Sequence, residues 1–403
     1  MLSDLTPVTI AGLLLWVASR LADEWPFAAL TGIGVLAVVG VLGIGALAIV
    51  APAPPDIGTV TARPGSPDVL LLVLDGYARG DWLDEVYGYD NSPFLEELEA
   101  RGFAVAYDAT PNYSYTYASL STILNLDYVF LPGGIDEPGR ELMRAALTGA
   151  TGMIPAFQQG GYEVTYFENA WGGSQCGSAI DRCIRHNLVS RSLWPIGQMT
   201  MLAPVVNAVV MNPFTTVSLG QLQSLGEVIS EPRSGERPRL TIAHVVLPHS
   251  PMLLDANCEF NRVDIQRVWG LGSEALQTAR RANYVGQLEC VNQVVLDALD
   301  VFLERYPTGV VMITSDHGPA STLLEDLPVD EQLDFTVQER MKILSAYRMP
   351  GCESTFRPDL TPVNGVRLLV NCVLGADLAP VMDVNNWISS NSEGEVEEMS
   401  LTR

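Results

Sequence analysis

Two apolar runs in this chain end on residues that hold cations. Val69 to Leu74 is followed by Asp75-Gly76, and Val310 to Thr314 runs into Ser315-Asp316-His317-Gly318. An apolar run without polar alternation reads as a strand buried on both faces, as in a parallel sheet covered by helices. Acids at the carboxyl ends of such strands sit where open α/β sheets bind their ligands. Asp75, Asp316 and His317 can therefore converge on one divalent cation, and a mixed oxygen and nitrogen set suits Zn²⁺ or Mn²⁺. A third stretch, NYSYTYASLSTILN (112–125), has helical spacing at Leu120, Ile123 and Leu124, so a helix should begin near Thr116. A helix N-terminus stabilises an anion, and Thr116 would complete the ligand set through its hydroxyl. The plainer reading of Thr116 is an N-cap. A threonine hydroxyl is a poor nucleophile at neutral pH, and a divalent cation that lowers its pKa changes that. After the apolar run Leu240 to Leu247 comes Pro248-His249-Ser250-Pro251. His249 could bind a phosphoryl oxygen or protonate a leaving alcohol. His244, inside the run, reads as core. Together these residues describe transfer of a phosphoryl group.

The elements needed to position them follow the same α/β pattern. Ser92-Pro93 starts a helix, with Ser92 as its cap, and Phe103 to Tyr107 and Gly161 to Phe167 read as strands. Ala275 to Tyr306 is a long amphipathic helix with Leu288, Val291, Val295, Leu299 and Phe302 on one face, feeding the Asp316-His317 strand. Ile343 to Met349 reads as a late strand, and Pro362 opens a last helix through Val373. The expected fold is α/β, a mostly parallel central sheet sandwiched by helices over 67–385. An acidic tail over 386–403 is expected to be disordered.

Ahead of that domain, Phe27 to Ala51 contains no charged residue and is long enough to cross a bilayer of ~30 Å. It reads as a retained transmembrane helix, because Asp23 and Glu24 precede it where a cleavable signal would carry positive charge. Leu5 to Ser19 is apolar but short, and a helical hairpin over 1–51 is the preferred topology. A Pro-rich linker over 52–66 separates the anchor from the domain. The region 192–226 is again uncharged and reads as a helical subdomain, a lipid-resting surface or an ordinary buried helix pair. The net charge of −24 excludes nucleic-acid binding through a basic surface. Six cysteines behind a membrane anchor favour an oxidising, extracytoplasmic setting, and a disulfide could close the loop between Cys176 and Cys183.

The blocks LVLDGY, NYxxTxxSL, PHSP and SDHGP resemble those of the alkaline phosphatase superfamily, in its sulfatase-like branch. Within it the chain is similar to bacterial membrane-anchored proteins related to lipoteichoic acid synthases and phosphoethanolamine transferases. The resemblance covers roughly 67–381 and includes the softer blocks YFENAWGG, YVGQLECVN and TPVNGVRLLVN. It implies Asp75, Asp316 and His317 as metal ligands, Thr116 as ligand and nucleophile, and His249, Asn112 and Trp171 on the substrate side. A formylglycine sulfatase needs C-x-P-x-R or S-x-P-x-R at the nucleophile, and Thr116-Tyr117-Ala118-Ser119 stands there instead. Two-metal members use a further histidine after the DHG segment, and none follows His317. One divalent ion is expected, a second being left open. The expected activity is transfer of a phosphoryl-alcohol group from a phospholipid or lipid-linked donor through a phosphothreonine, outside the cytoplasm of a bacterial cell. A phosphodiesterase or phosphatase using the same residues is the first alternative, and an inactive sulfatase-like scaffold the second.

Overall fold

The computed structural model describes residues 65–130, 132–169, 171–186, 213–233, 235–260, 273–320, 328–388 and 395–399. The expected spans at 5–19 and 27–51 lie outside these residues, as do most of the 52–66 linker and the apolar centre of 192–226. Among the described residues no helix is long and apolar enough to cross a membrane.

In chain order the elements are β1 (Val69–Leu74), α1 (Gly80–Tyr87), α2 (Ser92–Ala100), β2 (Ala104–Val105), α3 (Thr116–Asn125), α4 (Glu137–Leu147), α5 (Met153–Gln159), β3 (Glu163–Glu168) and β4 (Arg182–Arg185). They continue with α6 (Pro213–Ser230), β5 (Arg239–Val245), α7 (Ser273–Arg305), β6 (Val310–Thr314), α8 (Val329–Arg340), β7 (Ser345–Arg348), α9 (Pro362–Leu374), β8 (Asn386–Ile388) and β9 (Val396–Glu398). The main sheet has seven strands in the order β2-β7-β6-β1-β5-β3-β4. From β6 to β4 the pairing is parallel, while β7 runs antiparallel to β6 and β2 antiparallel to β7. This is the expected mixed α/β sheet.

The unbroken apolar run of β1 has a direct consequence for packing. Because side chains alternate along a strand, Leu70, Leu72 and Leu74 enter one core while Val69, Leu71 and Val73 enter the other. The first core holds the buried stripe of α7, with Tyr284, Leu288, Val291, Val295, Leu299 and Phe302. The second holds Leu120, Ile123 and Leu124 of α3 with Val366, Leu369 and Val370 of α9. Both faces of the sheet are thus covered, and β1 is fixed between β6 and β5 with Asp75 at its carboxyl end.

Three disulfides tie the chain, Cys176–Cys183, Cys258–Cys290 and Cys352–Cys372. The first closes the loop that the sequence offered for it. Two expectations need correction. Ser92 is the first residue of α2, and Asn91 takes the cap position. The tail expected to be disordered over 386–403 instead contributes β8 and β9, which pair antiparallel. Ile388 and Val396 turn inward onto Tyr113, Ala118 and Phe130, while Glu397 and Glu398 face solvent. The acidic composition concealed this buried face, made by Asn386 and Ile388 of β8 and Val396 of β9. The same tail grips the segment before α3: the Ser114 N–H donates to the Asn386 carbonyl at 3.2 Å, and the Ile388 N–H to Ser114 Oγ at 3.0 Å.

Candidate metal and phosphoryl-transfer site

The crevice at the carboxyl ends of β1, β5 and β6 collects the predicted residues. Asp75 follows β1 directly, and Asp316-His317 follow β6 after one residue. Ser315 Oγ accepts from the Tyr77 N–H at 2.9 Å and donates to the His317 carbonyl at 2.7 Å, which locks the two loops together. Tyr284 of α7 completes the clamp, its hydroxyl donating to the Gly76 carbonyl at 2.9 Å and accepting from the Ala78 N–H at 3.0 Å.

Asp75 and Asp316 are fully buried and His317 is 1% exposed. Asp316 divides its two oxygens: Oδ1 accepts from the N–H groups of Gly76 at 3.2 Å and His317 at 3.0 Å, while Oδ2 has no hydrogen-bond partner. Both carboxylate oxygens of Asp75 also lack one. Buried carboxylate oxygens without partners are costly. One ligand atom each from Asp75, Asp316 and His317 lie within 4.8 Å of one another, and a divalent cation would satisfy all of them. The residues present fit the metal that the motifs imply.

The hydrogen bonds of His317 fix its tautomer. Nδ1 lies 2.8 Å from the Gly318 carbonyl, which can only accept, so Nδ1 carries the proton. Nε2 therefore presents a lone pair, 3.3 Å from Asp316 Oδ2 and 3.6 Å from Asp75 Oδ1. Burial, helped by the nearby Arg340, pushes the His317 pKa down to about 4 against the pull of Asp316 and Asp75, so the ring is neutral at pH 7. For Asp75, burial pushes the other way, but the neighbouring His249 and the His244 ring beside its Oδ2 outweigh it and hold the carboxyl well below its usual range. Both groups are in the protonation states a metal requires.

Thr116 is the first residue of α3, and Tyr115 takes the cap position before it. The N-cap reading therefore fails. Its hydroxyl instead meets His317 Nε2 at 3.0 Å, and since that nitrogen offers a lone pair, the threonine donates. The neighbouring turn at Trp171–Gly173 packs against this residue. A Cβ on Gly172 would sit 2.7 Å from Thr116 Cγ2, and Gly172 has a φ of +60°, which disfavours side chains. Gly172→Ala is expected to displace the hydroxyl and lower kcat by roughly 10- to 100-fold, with the metal still bound through Asp75, Asp316 and His317. Steady-state kinetics beside a metal titration check this.

His249 is also brought to the crevice. Its ring lies 6.1 Å from that of His317, and its Nδ1 meets the Ser250 carbonyl at 2.6 Å. Asn112 is not. Its side chain is fully occupied elsewhere, Oδ1 accepting from the Val363 N–H at 3.0 Å to cap α9 and Nδ2 donating to the Tyr128 hydroxyl at 2.9 Å. A substrate role for Asn112 is replaced by a structural one. The side chain of Trp171 lies outside the described residues.

Two residues join the site that the sequence reading did not place there. Arg340, at the end of α8, donates from Nε to the Ser114 carbonyl at 3.1 Å and lies over the Tyr115 ring at 5.5 Å, so it braces the approach to Thr116. Burial lowers its pKa while Asp316 and Asp75 oppose that shift. His244 of β5 is buried, as expected of a core residue, but its Nε2 lies 3.4 Å from Asp75 Oδ2. Glu168, Cys176 and Cys183 form the other grouping of potential ligand atoms among the described residues. Its sulfurs are joined in a disulfide and are not available to a metal.

No protein-family model matches the chain, and no curated protein matches it in sequence. Solved structures do. The C-terminal periplasmic domain of EcEptC from Escherichia coli superposes with a TM-score of 0.51 at 15% identity, over 86% of this chain and 96% of that one. The soluble domain of lipooligosaccharide phosphoethanolamine transferase A from Neisseria meningitidis gives 0.51 at 15% identity, over 80% and 92%. At these identities the likeness establishes the fold.

Proposed function

We propose that this chain is a membrane-anchored, metal-dependent phosphotransferase. In this reading it moves a phosphoryl-alcohol group from a lipid-linked donor to an acceptor through a phosphothreonine at Thr116. The observation that carries it is the placement of the Thr116 hydroxyl at a helix N-terminus, 3.0 Å from the lone pair of a histidine grouped with two buried carboxylates. The fold shared with the soluble domain of lipooligosaccharide phosphoethanolamine transferase A supports the reaction class, and the apolar run at 27–51 supports a donor held in the same membrane.

Asp75, Asp316 and His317 would hold one divalent ion, Zn²⁺ or Mn²⁺, with Thr116 as the fourth protein ligand. When bound, such an ion lowers the pKa of a coordinated hydroxyl and neutralises charge on a phosphoryl group. With its proton already lost to solvent, Thr116 Oγ1 attacks phosphorus, its bond to phosphorus forming as the bond to the lipid alcohol breaks. His249 gives a proton to the departing oxygen. The N-terminal N–H groups of α3 hold negative charge next to the nucleophile. An acceptor hydroxyl, deprotonated by His249, then attacks the same phosphorus and returns Thr116 to its starting state. Cys176–Cys183, Cys258–Cys290 and Cys352–Cys372 accord with catalysis outside the cytoplasm.

The test uses the full chain in detergent, supplied with a divalent metal and mixed bacterial phospholipids. Diacylglycerol release that requires both metal and an added acceptor is the expected result. Turnover of a water-soluble phosphodiester with no acceptor would replace transfer by hydrolysis at the same site. A protein that binds no metal would support the scaffold reading.

A further inference from the structure

Two histidines flank Asp75 from opposite sides, and their protons are arranged in opposite ways. His317 offers a lone pair at Nε2. His244 is held by Asn169, which stands directly after β3 and reaches across to β5. The Asn169 amide nitrogen lies 2.8 Å from the His244 carbonyl and 2.8 Å from His244 Nδ1. A backbone carbonyl only accepts, so the atom facing it must be the NH₂ group. The same NH₂ therefore donates to Nδ1, and the ring proton of neutral His244 must sit on Nε2. That Nε2 lies 3.4 Å from Asp75 Oδ2, and neither atom has a hydrogen-bond partner. His244 is 1% exposed, so the contact is shielded from bulk solvent.

Resting on the metal-site reading above, we infer that Asn169 and His244 are positioning residues for Asp75. Asn169 locks the His244 tautomer, and the resulting Nε2–H takes up Oδ2 and aims Oδ1 at the cation. His244 is thereby excluded as a metal ligand itself, since its ligating lone pair is spent on Asn169. The pattern is that of a buried donor orienting a ligating carboxylate, whose loss costs roughly 10- to 100-fold in metal affinity.

Selective ¹⁵N labelling of the histidines is practicable because the chain has four. Proton-coupled ring spectra of the full chain should show His244, assigned by its loss in His244→Gln, protonated at Nε2, and His317 protonated at Nδ1. Zn²⁺ titration against a competing chelator should show His244→Leu weakened roughly 10- to 100-fold. His244→Gln, whose amide can place a donor near the same point, should recover most of that loss. Asn169→Asp cannot donate to the His244 carbonyl. It should move the ring proton to Nδ1 and weaken Zn²⁺ binding as His244→Leu does. A wild-type His244 protonated at Nδ1 would overturn the inference, as would a His244→Leu protein that binds Zn²⁺ as tightly as wild type. Failure of wild type itself to bind Zn²⁺ would instead remove the metal-site reading, and this inference with it.

Discussion

Thr116→Ala is expected to abolish turnover, by roughly 10³-fold or more, while leaving metal uptake largely intact. The reasoning is geometric. Thr116 is 7% exposed, opens α3 and spends its hydroxyl on His317 Nε2. Removing that oxygen deletes the attacking atom, but Asp75, Asp316 and His317 keep their places because Ser315 and Tyr284 hold the loops that carry them. Thr116→Ser, which keeps the hydroxyl, should retain measurable turnover. Kinetics and metal stoichiometry measured on the same preparations decide it. Full turnover by Thr116→Ala would show that the nucleophile lies elsewhere.

Asp316→Asn should abolish stabilisation by metal. In the wild type a divalent cation at 100 times its Kd is expected to add about 2.7 kcal/mol, a shift of several degrees in Tm. Asparagine can keep its Oδ1 on the Gly76 and His317 N–H groups, so the loop should fold as before. What it loses is the charge and lone pair at Oδ2, the oxygen without a hydrogen-bond partner. With chelator present, the variant should melt at or above the wild-type temperature, because one of two neighbouring buried carboxylates has been neutralised. On adding Zn²⁺, the wild type should rise and the variant should stay where it is. An equal rise in both proteins would place the cation somewhere other than Asp316.

Much of this was legible in the chain because the relevant signals are local. A six-residue apolar strand ending in Asp, a second ending in Asp-His, and helical spacing from Thr116 each lie within a dozen residues, and each element formed where expected. The residues missed depend on contacts between distant elements. Nothing in a strand's own sequence says that His244 will pair in register with Val73, two residues before Asp75. The one local hint was a histidine in an otherwise apolar strand. Arg340 closes a polar helix whose pattern gives no sign of facing the nucleophile segment. Asn112 was over-read because its motif adjoins Thr116, whereas its amide is needed to cap α9. The tail was under-read because acidic composition concealed the buried face of Ile388 and Val396.

The most direct single measurement is peptide mass spectrometry on metal-loaded full-length protein, acid-quenched during incubation with bacterial phospholipids and no acceptor. The expected result is a phosphoryl-alcohol adduct on Thr116, formed in step with diacylglycerol release. Release of diacylglycerol with Thr116 unmodified, or with the adduct on another residue, would contradict a threonine nucleophile at this site.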